Sequence, residues 1–210
     1  MHATIASTTA RPSRNLRWRV VDIVVAAVLG VASGVIFWAW GLASNPLGNL
    51  FVLSPGLSGL LNGGWLFAGV LGAIIIRKPG AALYTEILAA VVEMLIGSQW
   101  GFSTLISGIV QGLGAEIIFA LFFYANWRIG VVLLAGAGAA IGGATLDITF
   151  GFYAGQSAGF TIPYLISSVV SGVLIAGLLS WLAMKGLAKT GALSRFASGR
   201  EAAVVDESAA

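Results

Sequence analysis

Five acidic residues stand within or at the edge of long apolar runs: Asp22, Glu86, Glu93, Glu116 and Asp147. A charge at the centre of a bilayer costs about 2.5–3.5 kcal/mol on insertion scales. Asp22 is the easily explained member, because Arg17 and Arg19 sit beside it and an ion pair follows. The other four have no basic neighbour in the sequence. Glu86 and Glu93 are seven positions apart, so on a helix they share one face, about 10 Å apart along it. Ala90 and Gly97 continue that face, which is small and acidic and therefore looks into a bundle. Such carboxyls either glue helices together through hydroxyls and water, or accept hydrogen bonds from a ligand that brings donors or positive charge. Glu93, in the outer half of its span beside a polar-aromatic loop, is read as a ligand residue, and Glu86 as structural. Glu116 and Asp147 fit either reading.

Amides and aromatic rings gather near the outer ends of the same segments. Gln99 and Trp100 follow Glu93, Trp38 and Trp40 end the first span, and Asn45 follows them. Gln111 lies at the depth of Glu93, and Tyr153, Gln156 and Tyr164 flank the last outer loop. A pocket of carboxylates, amides and stacking rings suits a flat, nitrogen-rich, cationic small molecule. The sequence-based candidates are Trp40, Asn45, Glu93, Gln99, Trp100, Gln111, Glu116, Asp147 and Tyr164.

The elements that must carry these residues are membrane helices. Of 210 residues 58% are hydrophobic and 9% charged, against roughly 25% charged in a soluble domain. The chain has no cysteine, and its one histidine is His2. Thiolate chemistry, histidine general-base catalysis and zinc or haem ligation are excluded, and no cofactor is called for. A lipid-modifying enzyme lacks both a nucleophile–base pair and an acidic metal motif. No dense basic stripe exists to hold nucleic acid.

Six apolar stretches are long enough to cross a bilayer: about Val20–Gly41, Leu57–Ile76, Ala81–Gly97, Phe102–Tyr124, Ile129–Gly151 and Ile162–Met184. Asn45-Pro46, Ser54-Pro55, Lys78-Pro79-Gly80, Gly97-Ser98 and Ala125-Asn126 punctuate them. With both termini in the cytoplasm, every basic residue falls inside: Arg11, Arg14, Arg17 and Arg19; Arg77 and Lys78; Arg128; Lys185, Lys189, Arg195 and Arg200. The outer loops, about 42–56, 98–101 and 152–161, hold none, as the positive-inside rule requires. Trp18, Trp127 and Trp181 fall near inner ends and Trp38, Trp40 and Trp100 near outer ones, while Trp65 alone sits mid-span. The expectation is an all-α, six-span, multi-pass protein of the cell membrane. Residues 18–185 form the membrane domain, with cytoplasmic tails at 1–17 and 186–210.

Twenty-nine glycines serve close helix approach, since lipid gives no hydrophobic drive for pairing. Ala26, Gly30 and Gly34 lie one turn apart and make a smooth groove on the first helix. It fits either a neighbouring helix of the bundle or a helix of a partner protein.

Taken together, Tyr84-x-Glu86-x6-Glu93-x3-Gly97-Ser98-Gln99-Trp100-Gly101 and Gln111-Gly112-Leu113-Gly114-Ala115-Glu116 resemble the core of the YkoE-type substrate-binding (S) components of energy-coupling factor (ECF) vitamin transporters. Arg17-Trp18-Arg19-x2-Asp22 and Gly34-x3-Trp38-x-Trp40 resemble the first helix of that family, and the likeness spans about residues 17–185. The resemblance implies a six-helix S component with a substrate site near the outer face, covered by the loop after the first helix. It implies thiamine or its hydroxymethylpyrimidine precursor as substrate. It implies a transmembrane coupling subunit and two ATPase subunits as partners, docked partly through Ala26, Gly30 and Gly34. The positions carried over from the motif are Glu93, Gln99, Trp100, Gln111 and Glu116. The chain has no Walker motif of its own, so ATP is handled elsewhere. The alternative is a stand-alone proton-coupled carrier that relays protons through its buried glutamates.

Overall fold

Residues 16–200 are described by the structure, a computed structural model, and no strand occurs among them. Helix α1 runs over Val20–Gly48, followed by a short 3-10 turn at Asn49–Phe51. The next crossing is composite: a 3-10 helical segment, Pro55–Trp65, leads into α2, Phe67–Ile76. Then come α3 at Ala81–Gly97, α4 at Ser103–Leu121 and α5 at Ile129–Thr149. The last crossing joins α6, Ala158–Ser171, through a π-helical stretch, Gly172–Leu179, to α7, Ser180–Lys189.

Five of these runs are long and apolar enough to cross a membrane: Val20–Phe51, Pro55–Ile76, Ser103–Leu121, Ile129–Thr149 and Ala158–Lys189. The remaining expected span, α3, has 17 residues, about 25 Å of helix, and carries Glu86 and Glu93. It packs between α1, α2 and α4. The core is built from small and branched residues, among them Val70, Ile74 and Ile75 of α2, Ala115 and Phe119 of α4, and Ala135 and Ala139 of α5.

Glycines set the closest contacts. A Cβ at Gly114 would lie 2.2 Å from the Gly138 carbonyl oxygen, and one at Gly136 would lie 2.3 Å from that of Gly172. Thus α4 meets α5, and α5 meets the π-helical stretch, backbone to backbone.

At the Lys78 end of the bundle, Asp22 is fully buried. It accepts the Arg19 backbone N–H at 2.7 Å and the Arg19 guanidinium at 2.8 Å. It also pairs with Lys78, and the Lys78 ammonium donates to the Arg17 carbonyl as well. The Trp18 indole N–H donates to the Pro79 carbonyl at 2.9 Å. The sequence offers Arg17 and Arg19 as partners for Asp22; the structure pairs it with Arg19 and adds Lys78, which clasps α1 to the α2–α3 turn. Arg77 adopts a left-handed conformation (φ 57°) in that turn and Gly80 follows at φ 83°.

Four expectations need correction. The Asn45-Pro46 pair does not stop α1: Pro46 lies inside the last turns of the helix. The connection that follows is therefore much shorter than the expected loop at 42–56. The groove of Ala26, Gly30 and Gly34 is not free for a partner, because α3 of the same chain fills it. A Cβ at Gly30 would meet Leu88 Cβ at 2.9 Å, and one at Gly34 would meet both the Ala89 carbonyl and Val92 Cβ at 2.6 Å. Residues 190–200, expected within the cytoplasmic tail at 186–210, do not stand free of the bundle. Leu193, Phe196 and Ser198 are buried, Ser198 Oγ donates to the Ile75 carbonyl at 3.2 Å, and the Arg19 guanidinium lies over the Phe196 ring. Glu116, a candidate ligand residue carried over from the family motif, instead reaches the first turn of α3. Arg11 and Arg14, which support the expected orientation, lie outside the described residues.

Candidate functional site

A cavity of about 740 Å³, its open mouth included, lies between α3, α4, α5 and the composite crossing. Its polar lining includes Glu86 and Glu93 from α3, Ser103, Thr104, Ser107 and Gln111 from α4, Asn62 from the 3-10 segment and Asp147 from α5. Phe37, Trp65, Trp100, Phe152 and Tyr153 supply rings, and Ala90 and Gly108 make one wall small. No Lys, Arg or His lines it.

The acidic face of α3 falls where its spacing puts it. Glu93 is 2% exposed. Its Oε1 accepts the Trp65 indole N–H at 3.2 Å and the Ser98 hydroxyl at 3.4 Å. Ser98 in turn accepts from Thr104 Oγ1 at 2.8 Å. Trp65 stands at the centre of a row of indoles, 6.2 Å from Trp40 and 5.2 Å from Trp100, with both pairs edge to face. Gly41 admits Trp100, since a Cβ there would meet its ring at 3.2 Å.

Glu86, two turns further from Trp100, is 1% exposed. Its Oε2 accepts the Gly69 backbone N–H at 2.5 Å. Its Oε1 is the one buried side-chain polar atom without a partner among the described residues. The approach of α2 that delivers this N–H needs glycine, because a Cβ at Gly69 would lie 2.9 Å from the Ala82 carbonyl.

On the opposite wall Asp147 accepts the Tyr164 hydroxyl at 2.7 Å. Asn62 Nδ2 donates to Tyr164 at 2.9 Å and to Ser168 at 2.9 Å. Tyr153 packs on Tyr164 and Phe160, with centroids 4.8 Å away in each case. Hydroxyls of α6 also hold the irregular crossing: Ser167 donates to the Gly56 carbonyl and Ser171 to the Leu60 carbonyl, while Gly63 N–H donates to Ser171.

Four of the nine residues expected from the sequence therefore line the cavity: Glu93, Trp100, Gln111 and Asp147. Tyr164 stands behind Asp147 and orients it. Trp40 is directed away, donating its indole N–H to the Leu61 carbonyl at 2.9 Å. Asn45 and Gln99 bond to each other outside the cavity, with Asn45 Nδ2 2.9 Å from Gln99 Oε1. Glu116 is elsewhere altogether. Its carboxylate accepts backbone N–H groups from Gly80 at 2.6 Å, Ala82 at 2.9 Å and Leu83 at 3.3 Å, and the Tyr124 hydroxyl at 2.7 Å. It caps α3 from the neighbouring helix. The cover over the site also differs from the expected one: Phe152 and Tyr153, from the turn between α5 and α6, reach the cavity, and no residue of 42–56 lines it.

Sequence reasoning missed Glu86, Trp65 and Asn62 as lining residues. Trp65 carried a signal, being the one tryptophan outside the interfacial belts.

Comparison with known proteins gives the family. A family model described as "ABC-type cobalt transport system, permease component" matches residues 21–142. A curated protein of Bacillus subtilis (strain 168), "Putative HMP/thiamine permease protein YkoE", is 36% identical over 184 residues, covering 88% of this chain and 92% of that one. The chain belongs to the YkoE family. A solved structure, "Crystal structure of an S-component of ECF transporter", superposes with a TM-score of 0.86 at 35% identity, covering 92% of this chain and 97% of the other. The fold is thus that of an ECF S component, an all-helical membrane transport subunit and not an enzyme. In this S component the acidic face of α3, Trp65 and the α5–α6 turn enclose one cavity, and the first-helix groove is spent on internal packing.

Proposed function

We propose that the chain is the membrane-embedded substrate-capture subunit of an ATP-driven vitamin importer, and that thiamine or its hydroxymethylpyrimidine precursor binds in the cavity from the outer side. One observation carries the reading: three carboxyl side chains, Glu86, Glu93 and Asp147, line a ring-walled cavity with no cationic side chain among its lining residues. A guest with a positive ring or several N–H donors supplies what the walls lack. The name of the Bacillus subtilis relative agrees with that chemistry. The cobalt in the family description finds less support, since no group of three or more His, Cys, Asp or Glu is placed to hold a metal ion among the described residues.

The same proposal includes six crossings with both termini in the cytoplasm of a plasma-membrane protein, α3 being the sixth. It also includes a transmembrane coupling subunit and two ATPase subunits as partners. With the Ala26–Gly30–Gly34 face buried against α3, no residue of that face is assigned to docking.

The test is intrinsic fluorescence of the detergent-purified chain titrated with thiamine and with hydroxymethylpyrimidine, Trp65 and Trp100 being the reporters. Saturable quenching below the micromolar range is expected. Glu93→Gln weakens binding by about tenfold or more, because a charge-assisted contact is lost in a desolvated site. Absence of binding by either compound overturns the vitamin assignment. Proton-driven uptake by the chain alone in vesicles favours the stand-alone carrier instead.

A further inference from the structure

Glu86 is the deepest carboxyl of the cavity, about 10 Å further along α3 than Glu93. It is completely packed in yet half satisfied. Oε2 has the Gly69 N–H, and Oε1 has nothing. Its surroundings are kept small: a Cβ at Gly112 would lie 3.0 Å from Glu86 Cβ, and one at Gly108 would lie 2.4 Å from Ala90 Cβ. Buried polar atoms in folded proteins are almost always paired, and leaving one unpaired costs the desolvation it has already undergone. Were Glu86 only a helix-to-helix fastener, the single amide contact to Gly69 would be an expensive fastening, since an amide or hydroxyl side chain would make it without burying a carboxyl. The other residues of the neighbourhood do not complete it: Thr85 Oγ1 donates to the Ala81 carbonyl at 2.8 Å, and the Glu93 carboxyl takes its own donors from Trp65 and Ser98.

Resting on the vitamin-capture reading, we infer that Glu86 is the inner anchor of the site: its Oε1 accepts an N–H from the ligand, so an amino-substituted ring enters amine first and Glu93 and the indoles meet the rest. Glu86 is then the residue that distinguishes an aminopyrimidine from its oxo counterpart. An oxo group facing Oε1 sets acceptor against acceptor, and a site built to pair with an N–H rejects the analogue that lacks it. Glu93, nearer Trp100, governs affinity for a cationic ring without setting this preference.

The experiment compares hydroxymethylpyrimidine with the analogue whose exocyclic amine is replaced by an oxo group. Both are titrated by fluorescence against the wild-type chain, Glu86→Gln and Glu93→Gln. The wild type is expected to prefer the amine by about tenfold or more. Glutamine at position 86 keeps an acceptor for Gly69 and offers its own N–H on the other side, so the preference should fall below about threefold or reverse. Glu93→Gln should keep it. Two results overturn the inference: equal affinity for the two compounds in the wild type, which needs no variant to fold; or an unchanged preference in Glu86→Gln, whether or not both compounds bind that variant more weakly. If the wild type binds neither compound and thiamine does not bind either, the vitamin-capture reading falls with it; if thiamine alone binds, only the role of Glu86 falls. If it binds hydroxymethylpyrimidine without the stated pattern, only the role of Glu86 falls.

Discussion

Replacing Glu116 separates a fastener from a ligand group. Its two carboxylate oxygens take four hydrogen bonds, three of them from backbone N–H groups at the start of α3. Removing the side chain as Glu116→Ala leaves those groups unpaired at a position only 8% exposed. An N-cap loss costs about 1 kcal/mol, and a buried donor left unsatisfied costs about 1–3 kcal/mol. Water reaches some of the freed groups, so the net destabilisation is about 3–4 kcal/mol. Glu116→Gln is gentler. Its amide oxygen serves Ala82 and Leu83, its NH2 faces Tyr124, whose hydroxyl turns to accept, and only the Gly80 contact and the charge are lost. About 1–2 kcal/mol is expected. Chemical unfolding in detergent, followed by circular dichroism, reads the loss, and thiamine titration of the still-folded variants reads the site. Affinity should stay within about threefold of wild type, because no ligand contact is removed. A Glu116→Gln variant with wild-type stability and tenfold weaker binding would refute the capping argument and return Glu116 to the site.

Two further predictions concern the packing of α1. Gly34→Ala forces a methyl into the Ala89 carbonyl and Val92, and overpacking of this kind costs about 1–3 kcal/mol. The isolated chain should therefore unfold more readily, whereas unchanged stability with lost partner assembly would make the groove an external docking face. For the clasp, Asp22→Asn and Lys78→Met should each destabilise, Asp22→Asn more because the carboxylate charge facing both Arg19 and Lys78 is lost and an NH2 group takes the place of one acceptor oxygen. The double variant should lose less than the sum of the singles, since the one charge left without its partner, Arg19, is half exposed and no buried charge stays uncompensated. Strict additivity in the unfolding free energies would show the pair to be energetically idle.

Much of the scaffold is written in local chemistry. Lys78-Pro79-Gly80 and Gly97-Ser98 bracket α3 so sharply that its expected limits, Ala81–Gly97, agree with the structure. The α5 start at Ile129 follows in the same way from the polar break before it. Pro46 misled because a proline near an exposed helix end displaces little, and the next turns continued past it. The 3-10 conformation of Pro55–Trp65 was out of reach, as an apolar run rich in glycine reads alike in either helix. The fate of Glu116 was recoverable in principle. No Ser, Thr, Asp or Asn occupies the two positions before Ala81, so the free N–H groups of α3 had to find a cap elsewhere. What the sequence withholds is partnership across distance. Nothing local says that Leu88, Ala89 and Val92 fill the Gly30–Gly34 groove, or that Glu86 meets a single amide and no more.

The composite crossing has a consequence of its own. A 3-10 segment climbs about 2.0 Å per residue, so Pro55–Trp65 is drawn out thinner than an ordinary helix of the same length. Its self-bonding is poor, and Ser167, Ser171 and Trp40 lend the missing stitches to its carbonyls. The stretch that carries Asn62 and leads into Trp65 is thus sewn to its neighbours by side chains. The placement of Asn62 and Trp65 at the cavity is therefore set by α1 and α6 as much as by the crossing that carries them.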